Sequence, residues 1–395
     1  RPVRFLPRGN WNDDTGPVMQ PAVPTFMGTL KVAQPQAQPQ PEPDSEPVVA
    51  LASDTEQPEH AEDQAVAEAP QPQTPVATRL DLANWLSMPM DEGGTGELNA
   101  RVMVNRLWYL MYGEELSTSL GDFGGQGTPP NHPALLDRLA IQFVESGWDI
   151  KAMMKTLAMT RTYRLSSEPT KKLLEVDPNN EFFARQSQRR LPAEMIRDNA
   201  LLVSGLLVNQ LGGDSARPYQ PVGYYTHLNF PKRKYKADQD LNQWRRGVYM
   251  HWQRQFLHPM LKAFDAPTRE ECTAKRSVSN TPLAALVMLN DPSFVEAARA
   301  FAQRVLLEAE GDDRAKLDWA MRQSLSRPAT DAEAGLIFML LDHNRAAFSA
   351  DPEKAKRLLS VGLWQRDAQL DPVEHASWAE VCRVILNLHE KLTRP

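Results

Sequence analysis

Cysteine is nearly missing from this chain: Cys272 and Cys382 are the two thiols among 395 residues. No CxxC pair and no CxxCH occurs, which excludes a structural zinc site of the usual spacing and covalent attachment of haem c within these residues. Spacing alone does not place the two thiols within bridging range. Both are taken as free and packed, because buried cysteine behaves as a small hydrophobe. No apolar run reaches the roughly 20 residues that a helix needs to cross a bilayer. No secretory leader is recognisable, and the chain opens on Arg1 rather than Met, as a mature or excised piece would. There is no HExxH, no close pair among the eight histidines, and no repeat of solenoid period.

Positive charge is missing from one stretch. Residues 42–68 hold Glu42, Asp44, Glu46, Asp54, Glu56, Glu59, Glu62, Asp63 and Glu68 with no Lys or Arg. Setting aside these nine of the 50 acidic residues leaves 41 against 44 basic ones. The remainder is close to neutral, which argues against nucleic acid or an anionic membrane surface as a partner. Residues 34–75 also lack aromatics and glycine while carrying nine prolines and eight glutamines. Such a composition cannot bury enough apolar surface to offset its ordering entropy.

What is present organises into three parts. Residues 1–30 form an extended segment belonging to a preceding region, with Val3–Leu6 as a short strand. Residues 31–76 form a disordered Pro/Gln/Glu-rich linker, stretched by proline and self-repelling acids. Residues 77–395 form a helical domain: the expected class is mainly α, a multi-helix globular domain with long ordered loops and few short strands. Val104, Leu107, Trp108 and Met111 recur at helical spacing, as do Leu136, Leu139 and Phe143. Further helices are predicted at about 150–162 and 192–208. Val295, Ala298, Ala302 and Val305 form one apolar stripe; Trp378, Val381, Ile385 and Leu388 form another. Asp177, Asp291, Asp351 and Asp371 each precede a proline, placing an N-cap acceptor before a first-turn proline. Thr330 with Glu333, and Asp371 with Glu374, have capping-box spacing. Tyr224–Leu228 reads as a short strand inside an irregular Gly-, Pro- and Tyr-rich stretch.

The run from Asp265 to Glu296 carries the densest polar chemistry. Asp265, Arg269, Glu270, Cys272, Arg276, Asn280, Asn290 and Asp291 surround the helix starts at Thr281-Pro282 and Asp291-Pro292. We read them as a polar network pinning loop 264–291 to the helices. The competing reading is a ligand or active site in which Arg269 and Lys275 activate Cys272. Lys232, Arg233, Lys234 and Lys236, with Arg245 and Arg246, form a basic contact loop, otherwise a solvated one. Glu194 and Asp198 share a helix face, which suits an acid–base pair or, as we prefer, acids paired with Arg189, Arg190 and Arg197. His251 and His258 would share a helix face and with Asp265 could bind metal, but Pro259 ends any such helix, and no metal site is assigned. The loop GDFGGQGTPP from Gly121 to Pro130 lacks a P-loop lysine and reads as a tight turn holding Phe123 against the core.

Four blocks carry a resemblance. ARVMVNRLWYLMYGEELSTSLGDFGGQGTPPNHPALLDRLAIQFVESGWDIKAMMKTLAMTRTYRLSS, RRLPAEMIRDNALLVSGLL, FDAPTREECTAKRSVSNTPLAALVMLNDPSFVEAARA and WAEVCRVILNLHEKLTRP, in this order, resemble the planctomycete cytochrome-associated PSD-one domain of unknown function. RGNWNDDTGPVMQPAVP resembles the segment preceding that domain, and the 34–75 insertion is longer and more acidic than the family's usual linker. The resemblance implies a C-terminal domain of a large exported protein and an extracytoplasmic location, periplasmic or at the cell surface. It implies an upstream domain of the same polypeptide as partner, with a cytochrome or a cell-surface polymer as further ones. Haem c would sit in an upstream domain, and no cofactor is assigned to this chain. No catalytic residues transfer from the family. The leading expectation is a docking module of unknown biochemical activity; the alternative is a hydrolase or redox enzyme using Asp265, Arg269, Cys272, Arg276 and His251.

Overall fold

Many helix starts are set locally here, by an acceptor side chain just ahead of a proline or a first-turn acid. The computed structural model describes residues 3–6, 15–32, 76–123, 125–227, 234–253 and 256–394. The linker proposed at 31–76 lies almost wholly outside them. The chain folds into two compact units, Arg1–Asn105 with His132–Met153, and Arg106–Asn131 with Met154–Pro395. Residues 77–395 therefore contribute to both.

In the first unit, the expected Val3–Leu6 strand is a single antiparallel bridge between Arg4 and Val18. Helix α1 (Arg79–Ser87) opens on a capping box between Thr78 and Asp81. Helix α2 (Gly96–Tyr112) follows, and its later turns belong to the second unit. Helix α3 (Pro133–Glu145) starts with Pro133 after His132, and α4 (Ile150–Ala158) comes next. Trp85, Val104, Leu136, Leu139 and Phe143 are buried. Arg101 on α2 pairs with Asp137 on α3 at 3.1 Å.

The second unit continues with α5 (Lys171–Val176), strand β1 (Arg189–Arg190), α6 (Ala193–Ser204), α7 (Pro259–Ala263) and α8 (Pro282–Asn290). It closes with α9 (Pro292–Glu308), α10 (Asp313–Leu325), α11 (Asp331–Ala350), α12 (Pro352–Leu359), α13 (Pro372–Leu386), α14 (His389–Leu392) and strand β2 (Thr393–Arg394). β1 and β2 pair antiparallel, Arg189 opposite Arg394. The chain is mainly α, as expected. Helix α9 is the centre and packs against α13, α6, α8 and α10. Its Phe294, Phe301 and Val305 are buried, and Ala297, Ala298, Ala300 and Ala302 are fully enclosed. These small side chains let α13 and α6 come close, since the separation of packed helices follows side-chain size. Helix α13 answers with Trp378, Val381, Cys382 and Ile385, none of them exposed; each large buried side chain of this kind contributes roughly 1.5–3 kcal/mol.

Asp291, Asp351 and Asp371 each cap the helix that follows, accepting from Ser293 N, Lys354 N and Glu374 N. Asp177 does not. It lies at the end of α5, and its carboxylate accepts from Glu181 N and Phe182 N across a turn that leads to no helix. Helix α6 stops at Ser204, short of the predicted 208, because Gly205 adopts φ 80° and ends it. Tyr224 and Thr226 lie in a turn, not a strand, with Thr226 N bonded to Gly223 O at 2.9 Å; Leu228 is outside the described residues. In the Gly121–Pro130 loop, Ser117 and Ser119 hold Thr128, and Phe123 is half-buried. Gly127 has no room for a Cβ against the Asp122 carbonyl.

Helix α11 begins with a capping box, Thr330 Oγ1 accepting from Glu333 N and Glu333 accepting from Thr330 N at 2.7 Å. Thr330→Ala is expected to cost about 1 kcal/mol in urea unfolding, and Thr330→Ser to cost little. Equal midpoints for the two variants would contradict the capping role.

Candidate functional site

Asp265 follows α7 at φ 58°, a left-handed conformation that aspartate tolerates better than branched residues. Its carboxylate accepts from Ser279 N at 2.8 Å, from Ser279 Oγ and from Arg190 at 2.5 Å. Arg190 also donates to the carbonyls of Ser279 and Phe264. Loop 265–279 is thereby closed onto β1. Partial burial raises the Asp265 carboxyl, but the Ser279 and Arg190 hydrogen bonds outweigh it and hold it below the usual range.

The other polar residues of loop 264–291 engage separate partners. Arg276 pairs with Glu194 at 2.8 Å. Arg269 stacks on Trp252, its guanidinium carbon 3.7 Å from the ring centroid. Lys275 reaches the buried Glu115 at 2.7 Å. Asp291 caps α9, and burial pushes its carboxyl up. Asn290 bonds back to Leu286 O, while Asn280 and Cys272 are exposed. The expectation of two packed thiols therefore holds for Cys382 alone; Cys272 is exposed on its loop. The cations beside it in sequence, Arg269 and Lys275, are occupied by Trp252 and Glu115.

The basic loop divides. Lys232 and Arg233 lie outside the described residues, and Lys234 and Lys236 are exposed. Arg246 reaches Asp198 at 3.4 Å. Arg245 does not belong to a contact surface: it is 2% exposed, donates to the carbonyls of Asp214, Gly212 and Gln210, and lies on the Tyr249 ring. Those carbonyls need donors because their stretch makes little regular secondary structure. Asp198 accepts from Gly247 N at 2.5 Å. Glu194 crowds Gly247 so closely that a Cβ there would lie 2.8 Å from the Glu194 Cα. Both carboxylates are thus spent on structure.

The shared helix face that would join His251 to His258 does not form. His258 lies ahead of α7, where its Nδ1 accepts from Met260 N and its Nε2 donates to Tyr219 O at 2.7 Å. Burial lowers its pKa from 6.5 to about 4.

The deepest polar cluster lies elsewhere, within the apolar stripe of α9. Glu296 and Arg299 are each 1% exposed. Glu296 accepts from Trp244 Nε1 at 3.0 Å and from Trp364 N at 2.7 Å. Arg299 donates to the carbonyls of Val361 and Trp364, both at 2.6 Å. His375 on α13 contacts the Arg299 carbonyl at 2.8 Å. Tyr219 accepts from Leu363 N, and burial beside Glu296 pushes its phenol up. Sequence reasoning missed this cluster; its one local signal is a pair of charges one turn apart on a buried face. Lys391, also missed, is 6% exposed and donates to Asn199 and the Ser324 carbonyl; burial lowers it to about 8.

Gly362 sits at φ 87°, and a Cβ there would overlap the Glu296 carboxylate. Gly362→Ala is expected to cost at least about 2 kcal/mol in denaturant unfolding, through left-handed strain and the displaced carboxylate. A change within experimental error would show that the carboxylate has room to move. For His258 the folded pKa lies below the unfolded one, so the unfolded chain binds more protons between them and stability rises with pH there. As pH falls from about 6.5 to about 4, His258 should withdraw roughly 3 kcal/mol. Unfolding titrations of wild type and His258→Gln over that range should differ in slope; parallel curves would refute the assignment.

The PSD1 family, described as "Protein of unknown function (DUF1553)", matches residues 78–341. No curated protein and no solved structure matches the chain. With more than half of its 395 residues aligned to that family, this chain belongs to the PSD1 proteins of unknown function.

Proposed function

We propose that this chain is a docking module of an exported protein, with α8 and loop 264–291 as its contact surface. The observation that carries this is the exposure of α8. Its sequence PLAALVMLN is apolar on every side, which ordinarily marks a helix buried all round. Only Ala284 and Met288 are buried, while Leu283 and Leu286 are 58% and 54% exposed. Val278, 66% exposed, lies on the loop leading into the helix. An apolar face bordered by polar side chains marks an interaction site.

The polar groups beside it support binding over chemistry. Asp265, Arg269 and Arg276 are each held by a different neighbour, which favours a structural role for them over a shared reaction with Cys272. The partner we propose is a protein domain: the upstream domain of the same polypeptide or a cytochrome associated with it, in an extracytoplasmic compartment. The planctomycete setting belongs to the same proposal. No helix among the described residues is long and apolar enough to cross a membrane.

The test is crosslinking mass spectrometry on the native full-length protein, comparing wild type with Leu283→Glu/Leu286→Glu. Both leucines are exposed, so the double variant should melt like wild type, surface substitutions usually staying within about 0.5 kcal/mol each. Crosslinks from Lys262 and Lys275 to a neighbouring domain are expected in wild type and should vanish in the variant. Their persistence would remove α8 from the interface, and their absence from wild type would remove the interface itself.

A further inference from the structure

The second unit also carries an open cleft of about 550 Å³, well away in sequence from α8. Its floor is a preorganised turn. Asn180, at φ 56° and 5% exposed, exchanges hydrogen bonds with the Arg185 backbone through Oδ1 and Nδ2. Arg185 spans the turn, donating to the carbonyls of Asp177 and Pro178. One wall is fixed by Gln186, which donates to Tyr163 O at 2.8 Å. Across from this turn, Gly113 ends α2 at φ 89°, and a Cβ there would lie 3.0 Å from the Ser187 Cβ. That close approach brings Glu114 to the rim of the cleft.

The groups left facing the opening are chemically distinctive. Ser167, Asn179 and Gln188 line it with side chains that make no hydrogen bond among the described residues. The lining cation, Arg185, has both terminal nitrogens committed to carbonyls, so it is not offered to an anion. Glu114 would repel one; burial first, and then the neighbouring Glu115, push its carboxyl up. Pro169, Leu174 and Pro178 add small apolar faces. Amides and hydroxyls donate and accept together, whereas an apolar cofactor needs a mostly apolar pocket.

We infer that this cleft binds a neutral, hydroxyl-rich saccharide. Asn179, Gln188 and Ser167 would bond to ring hydroxyls, Glu114 would accept from one of them, and the prolines and Leu174 would meet the C–H faces of the sugar rings. The openness of the cleft suits a segment of a longer chain more than an enclosed monosaccharide. The inference does not depend on the α8 surface, and either can fail alone.

Saturation-transfer NMR on the full chain tests it with cellohexaose, maltohexaose and xylohexaose. Dextran sulfate, spermine and a Gly-Ser hexapeptide serve as competitors. At least one neutral hexasaccharide is expected to bind. Asn179→Ala/Gln188→Ala should weaken it about tenfold or more, two lost hydrogen bonds being of that order, with unchanged melting because both side chains are exposed. Dextran sulfate, spermine and the peptide should not compete. Silence from all three saccharides, unchanged affinity in the variant, or displacement by any competitor would overturn the inference.

Discussion

A carboxylate and a guanidinium one helical turn apart, Glu296 and Arg299, hold the second unit together from within its central, most deeply buried helix, α9. They stand 3.6 Å from each other, so direct pairing is the lesser part of what they do. Removing two charges from water costs several kcal/mol per ion, which hydrogen bonds must offset. Here the compensation comes from far along the chain, from Trp244 and from the backbone between Val361 and Trp364. The pair thereby turns α9 into a frame on which the short 3-10 turn ending at Trp244 and the loop from Val361 to Trp364 are hung. Gly362 is needed because the carboxylate occupies the space a side chain would take. His375 ties α13 to the same helix turn through the Arg299 carbonyl.

The same logic recurs at smaller scale. Arg197, 1% exposed, donates to the carbonyls of Arg245 and Gln243, and Arg245 in turn to those of Gly212 and Asp214. A stretch with few ladder bonds of its own must find donors for its buried carbonyls, and arginine brings five in a fixed fork. The charges thus serve the backbone first and one another second. The acids Glu194 and Asp198 follow the same pattern, one held by Arg276 and the other by Gly247 and Arg246.

Features written in neighbouring residues were legible in the sequence. The Asp-Pro starts at 291, 351 and 371, the Thr330–Glu333 box and the stripes on α9 and α13 depend on spacings of two to seven residues, so pattern suffices. Asp177-Pro178 carries the same signal yet caps nothing, because the segment after it lacks an apolar stripe and folds into a turn braced by Arg185. Arg245 looked like part of a basic surface because sequence counts charges and not the carbonyls that fold around them. Glu296 and Arg299 were illegible as a cluster, their partners lying 52 to 68 residues away. The cleft was equally hidden, since it joins Glu114 to residues 167–188 through the close approach at Gly113.

The arginine forks at 197 and 245 also restrict how this chain can drift. Lysine would keep the charge, but it is a point donor on a flexible stem and cannot reach two or three carbonyls in one plane. A mutation that a charge tally scores as silent would leave several main-chain oxygens stranded. Solvent-exposed residues near these forks therefore tolerate change far better than Arg197 and Arg245 themselves.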